Sequence, residues 1–142
     1  MRDRFLYSYF SIEPAIGWTA SVCGTEIEPY VSIVPDSGDV ELRLAPPSAD
    51  ALPMEPQQWV EKVAEINRIK RREVSAVTCG DFSGCNVQFE LNNGLNSDGF
   101  TSAWALFEGS RSLSAYYHSP KVLQGRDDDA IYEMLCSLKV VL

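Results

Sequence analysis

"EVSAVTCGDFSGCNVQFEL", residues 73–91, is the stretch on which the fold turns. From Glu73 onward the apolar positions recur at a period of two. "VSAV" leads to Cys79, "GDFSG" reverses the chain, and "NVQFEL" sets Val87, Phe89 and Leu91 against Gln88 and Glu90. Alternation on both sides of a Gly-containing turn predicts a β-hairpin. Beyond the Asn- and Gly-rich "NNGLNSDG", the run "FTSAWALFEG" reads as a long strand. Gly109 and Ser110 turn it into "RSLSAYYHS", with Leu113, Ala115 and Tyr117 on one side. These runs predict an antiparallel meander of three or four strands, apolar on one face.

The N-terminal half carries the same signal. "FLYSYFSIEP" reads as a strand, and "GWTASV" follows Gly17. "PYVSIVP" and "VELRL" flank the turn "DSGD", with Val40, Leu42 and Leu44 alternating against Glu41 and Arg43. The four prolines of "APPSADALPMEP" (45–56) exclude that segment from a sheet interior. From Pro56 through "QQWVEKVAEINRIKRR", Trp59, Val60, Val63, Ala64 and Ile66 fall on one helical face. "RDDDAIYEMLCSLKVVL" predicts a second helix burying Ala130, Ile131, Met134, Leu135 and Leu138. Asp127, Asp128 and Asp129 stand at its positive end as capping residues. The expected class is α+β: an antiparallel sheet of about six strands with two main helices packed on it, in one domain spanning residues 1–142.

Of the residues, 45% are hydrophobic and 23% charged, a balance that predicts a globular chain with its own core. The net charge of −8 is uneven: −6 over residues 1–56, +1 over 57–86 and −3 over 87–142. An acidic surface repels phosphate backbones, which disfavours nucleic acid and favours either simple solubility or a basic protein partner. No apolar run approaches a membrane span, and the N-terminus lacks the apolar core of a signal peptide, so a cytoplasmic location is expected.

No chemistry is signalled locally. Cys79 and Cys85 lack Cys-x-x-Cys spacing, and Cys23 and Cys136 lie far off, so reduced thiols are favoured over a disulfide, and a disulfide over a metal site. His118, the only histidine, is an ordinary strand-end residue unless the fold brings Asp81 or Asp98 to it. No catalytic residue, metal ligand or cofactor is expected. The aromatic residues point elsewhere. If one sheet face is left uncovered, Trp104, Leu106 and Tyr116 make an apolar patch suited to a partner. The acids Glu26, Glu28, Asp36, Asp39 and Glu41 suit a basic one.

The order of elements resembles the PsbP-like fold. The features that carry it are Pro14, Gly17 and Trp18 in "P-x-x-GW", then "VELRL", "QQWVEKV", and "V-x-x-GDFSG" running into "NVQFEL". "AWALFEG", "LSAYYH" and "AIYEMLCSLKV" complete it. That fold includes a photosystem II subunit, a Ran-binding nuclear-transport factor and bacterial chaperones of type VI secretion effectors. The lumenal targeting segment, lipid-attachment cysteine and acidic tail of some members have no counterpart here. The resemblance implies a cofactor-free, non-enzymatic protein-binding module. It would be a cytoplasmic adaptor or chaperone for a secreted effector, or an immunity-type inhibitor of a toxin. The alternatives are a small enzyme using His118 and a structural subunit of a larger assembly. Exposed strand edges leave a homodimer open.

Overall fold

The computed structural model describes residues 4–26, 29–46, 73–91, 99–109, 111–120, 123 and 125–141. Along the chain these form β1 (Phe5–Tyr7), β2 (Phe10–Ile12), β3 (Trp18–Gly24), β4 (Pro29–Pro35) and β5 (Glu41–Ala45). Then come β6 (Glu73–Cys79), β7 (Phe82–Leu91), β8 (Gly99–Glu108), β9 (Arg111–Pro120), helix α1 (Asp128–Cys136) and β10 (Lys139–Val140). A three-stranded sheet has the order β1-β2-β10, and a seven-stranded sheet the order β3-β4-β5-β9-β8-β7-β6. Every described pairing is antiparallel.

Among the described residues the architecture is mostly β, with sheets of three and seven strands and one helix, which corrects the expected α+β class of about six strands bearing two main helices. The predicted helix from Pro56 to Arg72 lies outside the described residues. Two local errors account for strands the sequence hid. The N-terminal aromatic run is a hairpin, because Ser8 takes the left-handed conformation at φ 54° and breaks it into β1 and β2. The C-terminal helix ends at Cys136, and the tail pairs Lys139 and Val140 with Ser11 and Phe10. A β-branched tail favours extended pairing over another helical turn.

One face of the large sheet presents Val31, Ile33, Leu42, Leu44, Phe82, Leu106 and Leu113. These pack against Ile131, Met134 and Leu135 of α1 and Phe10 and Ile12 of β2 in a single core. Each fully buried side chain of this size contributes about 1.5–3 kcal/mol over exposure. The expectation of a meander apolar on one face is also corrected. Val87 lies opposite Ala103, and Ala103 opposite Tyr116, so Val87 is on the side away from Leu113, Ala115 and Tyr117. Cys85, Val87, Ala103 and Ala105 are buried on that second side. The β7–β8 pair therefore buries residues on both faces.

The register also resolves "CGDFSGC". The turn is only Gly80 and Asp81, with Cys79 opposite Phe82 and Cys85 opposite Ala76. Cys79 and Ala76 are an odd number of residues apart, so the two cysteines point to opposite faces of the sheet. They cannot bond to each other, and all four cysteines are thiols. The turn docks on the segment after α1: the Asp81 amide donates to Leu138 O at 3.0 Å, and the Val140 amide donates to Asp81 Oδ2 at 3.0 Å.

Candidate functional site

Between α1 and the outer strands β6, β7 and β8 lies a cavity of about 490 Å³. Its apolar lining comes from Trp104, Ile131, Leu135 and Val77, and its polar lining from Asn86, Gln88, Ser102 and Thr78. The local reason is the phase of β7. The residues of β7 facing α1 beyond Phe82 are Gly84, Asn86 and Gln88, so a glycine and two polar side chains stand where the rest of that face is apolar. Asn86 is buried, its Nδ2 donating to Ala103 O at 3.1 Å, which holds the polar wall in place. An apolar floor with a few fixed polar groups is the usual composition of a binding cleft. β6 forms one margin of this cleft and, among the described residues, ends its sheet, with Ser75, Ala76 and Thr78 exposed.

The helix side of the mouth is acidic, with Asp128 in the lining. Asp127 stands at the N-cap but makes no side-chain cap bond, contrary to the capping role expected of it. Its carboxylate instead accepts from the Tyr117 hydroxyl at 3.0 Å and from Arg126 Nε, also at 3.0 Å. Burial and this bond hold the Tyr117 phenol above its ordinary range. Arg126 in turn donates from Nη1 and Nη2 to Asp39 at 2.7 Å each, a bidentate pair joining the start of α1 to the β4–β5 turn.

Those bonds, with a further one from Ser37, hold the Asp39 carboxyl well below the usual carboxylate range. A depressed folded value means that the pair's contribution is complete above the unfolded value, near pH 4, and is lost as pH falls through the folded one. The pair is solvent-exposed, so its effect on stability is small. A carboxyl-carbon NMR titration should show Asp39 still ionised at roughly pH 3, where an unperturbed aspartate is mostly protonated. An ordinary midpoint would break the Arg126–Asp39 link.

The residues singled out from sequence do not form one surface. Trp104 and Leu106 are 8% and 0% exposed and belong to the core, because their phase of β8 faces α1. Trp104 reaches the cleft floor. Tyr116 is on the opposite face and 37% exposed, so the three-residue patch is corrected to one exposed aromatic residue. Around Tyr116 a shallower basin of about 680 Å³ gathers Asp39, Glu41, Arg43, Thr101 and His118. Its acids are engaged: Asp39 by Arg126, and Glu41 by the Arg43 guanidinium and the Ser32 hydroxyl. Asp36 is exposed in the β4–β5 turn, Glu26 is exposed after β3, and Glu28 lies outside the described residues.

The enzyme alternative loses one of its pairings. His118 Nδ1 is hydrogen-bonded to Thr101 Oγ1 at 2.8 Å, and Thr101 lies opposite Phe89 near the far end of β7. Asp81 precedes the first residue of β7, about 26 Å away along the strand. Asp98 lies outside the described residues. Among the described residues no three His, Cys, Asp or Glu side chains group as metal ligands, and no helix is long and apolar enough to cross a membrane.

The cleft residues Asn86, Gln88 and Ser102 escaped sequence reading because polarity marked them as solvent-facing. The one available signal was their phase: Ser102 is two residues from Trp104, on the same side of β8.

Among the described residues the chain is a two-sheet β fold with one helix laid across the larger sheet, and the structural comparison supports a PsbP-like fold. The chain is similar to the solution structure of cyanobacterial PsbP (CyanoP) from Synechocystis sp. PCC 6803, with a TM-score of 0.50 and 9% identity over 97% of this chain and 91% of that one. At that identity the likeness is one of fold alone. No family profile matches the sequence, and no curated protein matches it.

Proposed function

We propose that this chain is a non-enzymatic binding module that takes an extended protein segment along β6, with alternate side chains of that segment entering the cleft beneath α1. The observation that carries this reading is the coincidence of a sheet edge with a cavity of about 490 Å³. An incoming strand satisfies the outward backbone groups of the edge, and a pocket beside it selects side chains at every second position. The floor of Trp104, Ile131 and Leu135 suits an apolar anchor, and Asp128 at the mouth suits a basic neighbour.

Of the finer roles implied by the resemblance, this geometry favours an adaptor or chaperone that shields an apolar stretch of its client. An inhibitor working through acidic residues would have to break Asp39 from Arg126 and Glu41 from Arg43.

Panning a display library of extended peptides tests the reading. Selected peptides should alternate apolar residues, carry a flanking Lys or Arg, and shift the β6 amides and the Trp104 indole in nitrogen-15 NMR spectra. Peptides that shift only Tyr116 and His118 would move the site to the opposite basin. A library that yields no binder would sink the reading.

A further inference from the structure

At the inner end of the cleft, Cys79 and Cys136 both face the cavity, although they are distant in sequence. The backbone brings them together. Gly80, next to Cys79, lies directly against Leu138, two residues beyond Cys136; a Cβ placed on Gly80 would fall 1.9 Å from Leu138 O. The Asp81 amide on Leu138 O and the Val140 amide on Asp81 Oδ2 clamp the same junction. Cys79 is 5% exposed and Cys136 is exposed. One turn earlier on the same face of α1, Tyr132 is the neighbour of Cys136.

We infer that Cys79 and Cys136 are a redox modification site, oxidised by hydrogen peroxide to a disulfide that ties the end of α1 to the end of β6. The exposed Cys136 reacts first, as its thiolate. Its sulfur attacks the peroxide, an S–O bond forms, the O–O bond breaks, and the departing hydroxide takes a proton to leave as water. The resulting Cys136 sulfenic acid is then attacked by the Cys79 sulfur. The S–S bond forms, the S–O bond breaks, and hydroxide leaves with the Cys79 proton as a second water. Two thiols and one peroxide become one disulfide and two waters.

The order of events follows from the surroundings. Burial, reinforced by the neighbouring Cys136, pushes the Cys79 thiol up to about 11, so Cys79 acts as the resolving partner. The inference does not rest on the binding role of the cleft.

The test treats the full-length protein with equimolar hydrogen peroxide and follows intact mass and non-reducing peptide maps. A loss of two hydrogens and a Cys79–Cys136 linked peptide are expected, with a melting midpoint raised by roughly 10 °C for a loop of this length. Cys136→Ser should abolish the link, and Cys23→Ser and Cys85→Ser should retain it. Because Cys136 is exposed, its variant folds even if Cys79→Ser does not. A different linkage, or oxygen added at Cys136 while Cys79 remains an alkylatable thiol, would overturn the inference.

Discussion

Gly80→Ala is expected to cost about 2–4 kcal/mol in urea unfolding, with a matching fall in the transition midpoint. Two effects combine at this residue. The backbone sits at φ 60°, a conformation that alanine adopts only with strain. The new methyl would also fall 1.9 Å from Leu138 O and 2.8 Å from its carbonyl carbon, so β10 or the β6–β7 turn must move. Leu138 is backbone here, not the end of a flexible side chain, and its neighbours are held by Asp81. Gly109→Ala separates the two effects. Gly109 has nearly the same φ, 58°, with nothing within 4 Å of the added carbon, so only the strain of about 1–2 kcal/mol remains. Equal losses in the two variants would mean that the turn does not dock on the C-terminal strand.

Leu106→Ala should destabilise by about 2–5 kcal/mol, whereas Tyr116→Ala should stay within roughly 1 kcal/mol. Leu106 is fully buried against the core that α1 completes, and truncating it leaves a cavity its neighbours fill only in part. Tyr116 is on the other face and substantially exposed. Thermal and urea unfolding of the two variants check the difference. If Leu106 were part of a partner-binding surface, its truncation would leave the unfolding midpoint nearly unchanged.

The β3–β4–β5 run was legible because its strands alternate cleanly and "DSGD" supplies the turn between the last two. The buried face of α1 was legible from Ile131, Met134 and Leu135 at helical spacing. The β7–β8 pair was harder for a physical reason. Both of its phases bury residues, Phe82 and Leu106 on one side and Val87 and Ala105 on the other, so alternation no longer tells inside from outside. The first hairpin was hidden because a serine, not a glycine, takes the left-handed position.

The site was less legible than the fold. Its polar wall imitates a solvent face, and its margin depends on β6 ending the sheet order, which only tertiary structure decides. The meeting of Cys79 with Cys136 is similarly non-local: it depends on the tail leaving α1 to join β2. The local pairing that sequence proximity offers, Cys79 with Cys85, is the one that strand alternation forbids.

The most direct measurement is the affinity of one selected peptide for two variants of the protein. Gln88→Trp places a large ring in the cleft at an exposed position, and Tyr116→Ala strips the opposite basin. The cleft reading predicts at least about tenfold weaker binding, roughly 1.4 kcal/mol, for Gln88→Trp and unchanged binding for Tyr116→Ala. Unchanged binding in Gln88→Trp, with loss in Tyr116→Ala, contradicts it.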